Sequence, residues 1–468
     1  MFGLSTAYYL SKKGLNVVVL DKSNIGTKVS GCTTAKITSQ HGLIYNYLIN
    51  SFGHDIAKKY LDANEQAVKN IKNIIDNENI ECDYEVQSSF VYANRQEEID
   101  KIKQEVKSVE LLGLDVQFIE HLSVPFENFG AIRFPNQAQF HPRKFMIGLC
   151  NSILHNSGQI YSNTLVHDVK KEENFYVTCT SNHTIKSKYI VLASHYPFIN
   201  FPGFYFTKMY QETSYVIGVD TKTDLFDGMY ISSTIPTYSY RSTEFGNKRL
   251  LLLGGMGHKT GAEDVSNYST YDILEQKAKE LFPNCEILYK WNTRDCITLD
   301  KVPYIGEFST SLPNMYIGTG FNKWGMTSSN VAANIVTDKI LGIKNKYEEA
   351  FASTRLKPIK NINELKNMLK QTAKSLVIDK LKIPVETLND IANDSGKVIE
   401  IDGNKVGIYK DNSGKIFAVK PTCTHLGCSL VWNNVDNTWD CPCHGSRFDY
   451  CGKNIYDPAF KNLEVYNL

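Results

Sequence analysis

The sequence predicts an α/β domain with an associated antiparallel sheet over residues 1–350, a helical linker over 351–384, and a small all-β domain over 385–468. Three observations lead to this prediction. The chain opens with a helix and a buried strand that ends in an acid, and segments of alternating apolar and polar residues follow in its middle part. A hairpin signal near the C-terminus then precedes two short boxes of cysteine and histidine. A chain of 468 residues is long enough for two or three domains with their own cores.

The first element is a helix over residues 3–14, which Gly14 ends. The apolar run Leu15–Leu20 follows, as expected of a buried parallel strand, and Asp21 stands at its end. A helix, a tight turn, a strand and a terminal acid form the second half of a dinucleotide-binding βαβ unit. In that unit the acid accepts hydrogen bonds from the adenosine ribose.

The first half of that unit is not in the sequence. Its fingerprint is G-x-G-x-x-G after a strand, and the chain opens at the last x-x-G. Gly3 is then the glycine that permits close packing of the helix on the sheet. Two interpretations are open: Met1 is an internal methionine of a longer protein, or the truncation is real and the domain is impaired.

Further segments follow along the chain. Gly31–Thr38 contains glycine, small and hydroxyl residues, which suit the lining of a dinucleotide site. Residues 314–327 read as strand, glycine loop and helix, and the N-terminus of that helix would direct its dipole at the cofactor. Between them, Ser214–Val219 and Met229–Tyr240 alternate and predict a sheet that covers a substrate cavity.

This ordered series of segments resembles the D-amino-acid-oxidase-like (DAO-type) FAD-dependent oxidoreductases, which include enzymes that oxidise glycine, sarcosine and glycerol 3-phosphate. The resemblance covers residues 1–350 and implies a Rossmann-like FAD-binding domain with an antiparallel β substrate domain. It implies an FAD site formed by Gly3, Asp21, Lys22, Gly31, Thr33, Thr34, Ala35, Gly320, Gly325 and Met326.

The sequence leaves the catalytic residues unknown, with two candidates. His141 stands at the start of a predicted helix, and Arg241 is suited to bind a substrate carboxylate through its guanidinium group. Each has a structural alternative. In that alternative His141, like His195, is a hydrogen-bonded structural histidine, and Arg241 is a surface strand residue.

The linker over 351–384 has no glycine, and its apolar residues fall near helical spacing. We expect an amphipathic helix that packs on the preceding domain or, alternatively, docks a partner. In the C-terminal domain, Asp402-Gly403-Asn404 lies between two apolar segments and predicts a β-hairpin.

Two boxes after the hairpin each offer one thiolate and one imidazole. Two cysteines on one iron and two histidines on the other form the ligand set of a Rieske [2Fe–2S] centre. The alternative is a structural zinc site, because cysteine and histidine also suit tetrahedral zinc. The predicted ligands are Cys423, His425, Cys441 and His444.

The boxes resemble those of Rieske proteins of the cytochrome bc type, and the resemblance covers residues 385–468. It implies a disulfide between Cys428 and Cys443 across the cluster loops, for which a zinc knuckle has no use. Ser446 matches a serine that bonds to cluster sulfur in those proteins, whereas Phe448 stands where they have a tyrosine. Because phenylalanine lacks a hydroxyl, we expect a potential below the top of the Rieske range of roughly −150 to +300 mV.

The composition limits the classes of partner that can be expected and indicates the cellular compartment. A net charge of +1 gives no electrostatic reason to expect nucleic acid as a partner, and the apolar runs are too short for an integral membrane anchor. Of eleven cysteines, Cys451 is expected to be a free loop thiol. Six others have no metal spacing and predict a cytoplasmic protein with reduced thiols. These six are Cys32, Cys82, Cys150, Cys179, Cys285 and Cys296.

Together these features predict an FAD-dependent oxidoreductase with an iron–sulfur cluster. We expect a dehydrogenase that oxidises a small amine, amino acid or hydroxy acid and passes electrons through the cluster to an external acceptor. The alternative is an electron-transfer or redox-sensing Rieske protein whose truncated flavin domain is non-functional.

Overall fold

The computed structural model describes residues 1–262, 270–355, 374 and 387–468. The linker helix expected within 351–384 falls almost wholly outside these ranges. Of the helices described, none combines the length and the apolar character that a bilayer crossing requires. The helices in chain order are α1 (Phe2–Lys12), α2 (Tyr45–Phe52), α3 (His54–Asn77), α4 (Ile99–Leu111), α5 (Pro142–His155), α6 (Thr270–Leu281), α7 (Gly325–Leu341) and α8 (Glu348–Phe351).

The N-terminal helix and strand form where the sequence predicts them, and Gly14 takes a positive φ of 78° in the turn between them. Strand β1 (Val18–Leu20) pairs in parallel with β6 (Gln159–Tyr161). A separate sheet contains β10 (Ile190–Leu192), parallel to β17 (Met315–Thr319), which is antiparallel to β16 (Tyr304–Glu307). Helix α1 packs against α5 and α7 and also contacts β1. Three helices therefore lie beside the parallel strands on this side of the domain.

A large mixed sheet of nine strands forms the rest of the N-terminal domain. Residues 229–240, which alternate in the sequence, are not one strand but two, separated by a turn at Pro236. The strands of this sheet are β2 (Lys36–Ile37), β3 (Glu85–Tyr92), β4 (Gln117–Ile119), β5 (Ala131–Gln139), β11 (Met209–Asp220), β12 (Met229–Ser232), β13 (Tyr238–Phe245), β14 (Lys248–Lys259) and β15 (Glu286–Thr298). A small antiparallel sheet consists of β7 (Val166–Lys171), β8 (Tyr176–Thr180) and β9 (Thr184–Ser187).

The main core lies between this sheet and the helices that cover it. Helix α3 buries Ala57, Leu61, Val68, Ile71 and Ile75, which recur at the three- and four-residue spacing of one helix face. This face packs against α2, α7 and α8, and the packed layer fixes where the N-terminus of α7 points.

The C-terminal domain is all β, as predicted. The hairpin expected at Asp402-Gly403 is present, with both residues at positive φ. Trp439 and Phe448 are fully buried in the core that supports the cysteine and histidine loops. One sheet consists of β18 (Ser395–Ile401), β19 (Asn404–Lys410) and β20 (Ile416–Val419), and the other of β21 (Val431–Asn433), β22 (Thr438–Asp440), β23 (Arg447–Asp449) and β24 (Asn454–Tyr456).

Candidate active site and metal centre

The two cysteine and histidine boxes fold into two loops with the same hydrogen-bond pattern. In the first loop the Cys423 amide donates to the Cys428 carbonyl at 2.8 Å, and the Gly427 amide donates to the Cys423 carbonyl at 2.9 Å. The second loop repeats both bonds, from Cys441 to the Ser446 carbonyl and from Gly445 back to the Cys441 carbonyl, at 2.8 and 2.9 Å. The shared spacing of the boxes therefore produces two matched loops.

The loops bring the four predicted ligands together. The imidazole rings of His425 and His444 lie 5.1 Å apart and nearly perpendicular. The Cys423 thiol contacts Cys441, and this contact lowers the pKa of Cys423 while it raises that of Cys441. Burial lowers the pKa of His425 to about 4, so that imidazole is neutral and can act as a ligand at neutral pH.

Unpartnered atoms provide a test of whether a cluster fits between the loops. Nδ1 of His425 and Nδ1 of His444 are both buried, and neither has a hydrogen-bond partner among the described residues. Buried polar atoms are almost always paired, so two orphaned imidazole nitrogens beside two thiols indicate that metal completes the site. These four residues fit a [2Fe–2S] cluster held by two cysteines and two histidines.

Cys428 and Cys443 form a disulfide that joins the two loops. Their sulfur atoms and that of Cys441 lie within 4.8 Å of one another, but a disulfide offers no thiolate to a metal. This trio of sulfurs therefore does not make a zinc site. The hydroxyl of Ser446 accepts a hydrogen bond from the Ala459 amide at 3.0 Å, and Phe448 has no polar atom to offer from its buried position.

The cluster loops dock against the N-terminal domain. Nε2 of His425 lies 3.0 Å from Oδ1 of Asn200. The His444 ring packs at 5.9 Å from the ring of Phe206 and at 6.4 Å from that of Tyr196. Gln211 donates from Nε2 to the carbonyl of His444 at 2.9 Å and also to the Asp457 carbonyl at 3.0 Å.

Two further contacts around the loops strengthen this docking. The Arg294 guanidinium lies 3.6 Å from the centre of the Tyr456 ring, a cation–π contact. Asn292 donates to the Asp436 carboxylate at 2.7 Å. Because each contact joins residues that are distant in the sequence, the two domains share a specific interface rather than an incidental contact.

A cavity opens in the N-terminal domain beside this interface, between α7 and strands β11, β13, β14 and β15. Four of the predicted cofactor residues line it: Thr33, Thr34, Gly325 and Met326. Helix α7 begins at Gly325 with no side-chain cap on its first amides. An uncapped helix N-terminus that opens into a cavity suits the negative charge of a reduced flavin ring.

Three glycines of the predicted flavin site allow the chain to pack closely on itself. A Cβ on Gly31 would lie 1.8 Å from the Gly26 carbonyl oxygen, and one on Gly320 would lie 2.2 Å from Cγ2 of Thr298. A Cβ on Gly3 would approach that of Ala193 at 3.0 Å, where helix α1 passes close to the chain after β10. Glycine at these positions therefore permits the close packing of the segments that surround the cavity.

The remaining predicted cofactor residues lie outside the cavity wall. The Asp21 carboxylate accepts a hydrogen bond from the Ser23 amide at 2.8 Å. The Lys22 ammonium is paired with Asp457 of the C-terminal domain at 2.5 Å, so that it takes part in docking. Gly3, Gly31, Ala35 and Gly320 shape the backbone around the cavity without lining it.

Neither catalytic candidate lines the cavity. His141 caps helix α5, because its Nδ1 accepts a hydrogen bond from the Lys144 amide at 3.4 Å. Arg241 is buried rather than on the surface, and its Nη1 donates to the Ala35 carbonyl at 3.1 Å and the Phe140 carbonyl at 3.4 Å. In this structure both side chains hold backbone segments in place.

His195 does line the cavity. Its carbonyl accepts hydrogen bonds from Oγ1 of Thr319 at 2.5 Å and from Sγ of Cys296 at 3.6 Å, which fix its left-handed backbone at φ 65°. Burial lowers the pKa of its imidazole to about 4, and Nε2 is buried with no partner among the described residues.

Three charged residues that were not predicted from the sequence line the cavity. Lys36 lies inside the predicted cofactor segment Gly31–Thr38, and Lys323 lies inside the predicted glycine loop, but the sequence does not show that their side chains line a cavity. Asp295 belongs to β15, where no motif marks it, and burial raises its pKa to about 6.

Comparisons with known proteins agree with the geometry. The family described as FAD dependent oxidoreductase (DAO) matches residues 1–339, and the Rieske [2Fe-2S] domain family matches residues 382–467. The chain is 37% identical to the Rieske 2Fe-2S iron-sulfur protein YhfW of Bacillus subtilis (strain 168), over 100% of the chain and 91% of that protein.

Two further relatives match the N-terminal domain. The chain is 23% identical to gamma-glutamylputrescine oxidoreductase of Escherichia coli (strain K12), over 75% of the chain and 84% of that protein. The crystal structure of glycine oxidase from Geobacillus kaustophilus has a TM-score of 0.63 at 17% identity, over 76% of the chain and 96% of that structure. That likeness shows the fold alone.

Proposed function

The chain belongs to the FAD dependent oxidoreductase (DAO) family and carries a C-terminal Rieske [2Fe-2S] domain, and we propose from this premise that it is a dehydrogenase. Its substrate is a small amine, amino acid or hydroxy acid that enters the cavity, and its electrons leave through the C-terminal domain to an external acceptor. When bound, FAD supplies the hydride acceptor and the cluster supplies a one-electron carrier.

One observation carries the proposal: two adjacent residues link the cavity to the cluster loops. His195 lines the cavity, and the ring of the next residue, Tyr196, packs at 6.4 Å from the ring of the predicted ligand His444. Tyr196 is almost fully buried, so the path between the two sites runs through the protein interior. A domain that served only as a sensor would have no need to place a histidine ligand beside the cavity wall.

The relatives support the amine class of substrate. The name of one of them, gamma-glutamylputrescine oxidoreductase, describes an amine as the compound on which that protein acts. The cluster favours a dehydrogenase over a simple oxidase, because an oxidase that reduces oxygen at the flavin needs no separate one-electron carrier.

We also propose a cytoplasmic location. The six cysteines without metal spacing are all free thiols in the structure, as is Cys451. Structural disulfides are typical of oxidising compartments, so a chain in which seven cysteines are neither disulfide-bonded nor predicted ligands fits a reducing one. The Cys428–Cys443 pair is the exception, and its place across the cluster loops explains why it is oxidised.

The test is an anaerobic screen of amines, amino acids and hydroxy acids for bleaching of the flavin band, followed by electron delivery to ferricyanide. We expect Cys441→Ser to keep flavin bleaching by the active compound and to lose most of the electron delivery. Cys451→Ser removes an exposed cysteine of the same domain and serves as the matched control, with both activities retained. If no compound bleaches the flavin, or if Cys441→Ser delivers electrons as fast as the unmodified protein, the proposal is wrong.

A further inference from the structure

The Asp295 carboxylate lines the cavity without a contacting partner. Its side chain is partly exposed, to the cavity that it borders. Among the residues that the structure describes, no hydrogen-bond donor and no cation contacts its oxygen atoms. A carboxylate removed from bulk water is costly unless a cation or several hydrogen bonds replace its hydration, so the position of Asp295 needs an explanation.

The four most buried carboxylate residues of the described chain all have such partners. Glu105 accepts hydrogen bonds from the backbone amides of Tyr45 and Asn46, at 2.7 and 2.9 Å. The other three contact cationic side chains: Glu98 contacts Lys101, Asp220 contacts Lys222 and Lys248, and Asp440 contacts Arg447. Asp295 departs from this pattern.

The pairing of β15 with β11 places Asp295 directly opposite Glu212. Residues opposite each other in antiparallel strands share one face of the sheet, and like charges in this position are destabilising. Of the lysines beside this pair, Lys323 contacts Glu212 at 2.7 Å, and Lys259 directs its ammonium to the Tyr210 ring, 5.8 Å from the ring centre. Neither ammonium contacts Asp295, so one carboxylate of the pair has no contacting cation.

Asp295 belongs to the part of the cavity wall that the sheet forms. The residues predicted to hold the cofactor come from the segment Gly31–Thr38 and from the start of α7, whereas Asp295 comes from β15. Thr293 lies two residues earlier, on the same face of β15, and also lines the cavity. Its Oγ1 is buried with no partner among the described residues. The sheet thus presents a carboxylate and a hydroxyl to the occupant of the cavity.

We propose that the Asp295 carboxylate binds a positively charged amino group of the substrate, so that the substrate is a cationic amine rather than a hydroxy acid. The inference rests on the proposed function in one respect, namely that the cavity receives a substrate. An ammonium would donate to Asp295 in a charge-assisted hydrogen bond, which is roughly twice as strong as a neutral one. The Thr293 hydroxyl would accept a second N–H of the same group.

The proposal has a consequence for pH. Burial raises the pKa of Asp295 to about 6, while Lys323 lowers it and Glu212 raises it. A cation binds the ionised carboxylate and lowers its pKa, so binding releases a proton near pH 6. Since an alkylammonium stays charged well above this pH, its affinity should fall as pH falls through 6, up to about tenfold per pH unit.

Other titratable groups in or beside the cavity wall also lose positive charge as pH rises, and burial lowers the pKa of each. They are the Met1 amino group (about 6), Lys36 (about 7), His195 (about 4), and His258 and Lys259 on β14. Loss of these charges would also favour a bound ammonium. The part of the pH dependence that disappears in Asp295→Asn therefore measures the contribution of Asp295.

The test is a calorimetric titration of the FAD-loaded protein with tert-butylammonium. This cation has no hydrogen on the carbon next to its nitrogen, so the flavin cannot oxidise it there. tert-Butanol has a similar shape without the charge and is the neutral counterpart. Near pH 7.5 we expect tert-butylammonium to bind more tightly than tert-butanol by about tenfold or more. Equal affinity for the two compounds, or no binding of the cation, overturns the proposal.

Asp295→Asn keeps the size of the side chain and removes its charge. We expect this variant to bind tert-butylammonium more weakly by about tenfold or more and to bind tert-butanol as before. Asp295→Glu restores the charge and should recover part of the affinity. Asp83→Asn is the matched control, because Asp83 is paired with Lys144 at 2.6 Å and does not line the cavity. Unchanged affinity for the cation in a folded Asp295→Asn variant contradicts the proposal.

The proton balance is a readout that a merely structural role would not change. Titrations near pH 6 in two buffers of different ionisation enthalpy measure the protons released on binding. We expect tert-butylammonium to release fewer protons from Asp295→Asn than from the unmodified protein. Equal release from both proteins contradicts the assignment of Asp295.

The two proposals fail separately. A preference for tert-butylammonium that depends on Asp295, with no reduction of the flavin by any compound, supports the cation site and overturns the dehydrogenase assignment. Reduction of the flavin by hydroxy acids but not by amines, with no preference for the cation, supports the dehydrogenase and overturns the role of Asp295. Comparison of the two probes in the unmodified protein keeps the test decisive even where an Asp295 variant does not fold.

Discussion

Replacement of Gln211 by leucine should release the C-terminal domain from the N-terminal domain. The Gln211 side chain is 3% exposed, and its Nε2 donates to two backbone carbonyls, of His444 and of Asp457. Leucine has a similar volume but no donor. Each lost neutral hydrogen bond costs about 0.5–1.5 kcal/mol, so the pair contributes about 1–3 kcal/mol to docking. That range corresponds to a shift of about 5- to 150-fold in the docking equilibrium.

Hydrogen exchange of peptides that cover residues 441–446 measures this shift. In Gln211→Leu we expect faster exchange of these amides, while the core strands of the C-terminal domain remain protected. Gln40→Leu is the matched control, because Gln40 is fully buried and donates to the Ile132 carbonyl at 3.1 Å within the N-terminal domain. Exchange at 441–446 that is equal in Gln211→Leu and in the unmodified protein would refute the reasoning.

Three other predictions concern pH, the disulfide and the cluster. Burial raises the pKa of Glu105 to about 7, above the value of about 4.3 expected in the unfolded chain, so the folded state binds more protons between these values. The unmodified protein should lose up to about 1.4 kcal/mol of stability per pH unit as pH rises through this window. Glu105→Gln should flatten that dependence in urea unfolding measured from pH 5 to 8, and an unchanged slope would contradict the assignment. Cys428→Ser should still assemble a cluster but lose it faster on dilution, as followed by visible absorbance, whereas a cluster as persistent as before would show that the disulfide does not secure the loops. Phe448→Tyr should raise the midpoint potential in a redox titration, because it adds a hydroxyl near the cluster loops, and an unchanged or lower potential would contradict the expectation drawn from Phe448.

The metal ligands could be predicted because their signal is local. Each box lies within six consecutive residues, and the hydrogen bonds that shape each loop join positions four and five residues apart. The hairpin at Asp402-Gly403 and the helix that Gly14 ends are local in the same sense. Turn and loop chemistry of this kind is set by the residues themselves, so no knowledge of the tertiary fold is needed.

The docking interface could not be predicted, because its contacts join distant parts of the chain. Gln211 meets His444 across 233 positions, and Asn200 meets His425 across 225. No periodicity or motif marks either residue. Arg241 shows a second limit. Alternation along β13 places it on the same face as Ser239, which lines the cavity, yet its guanidinium donates to the carbonyls of Ala35 and Phe140 instead.

The cavity wall shows why its charged residues were missed. Lys36 stands next to Ala35 in a segment predicted to bind the cofactor, and the sequence does not tell which side chain turns into the cavity. Asp295 owes its place to the pairing of β15 with β11. Such residues acquire their roles from a sheet of nine strands whose order no local pattern specifies.

The measurement that tests the central claim most directly is rapid mixing with an active compound, in which flavin bleaching and cluster reduction are followed separately. The account predicts that cluster reduction follows flavin bleaching within the time of one turnover, since His195 and Tyr196 join the cavity to His444. A flavin that stays bleached beside a cluster that stays oxidised through many turnovers would contradict it.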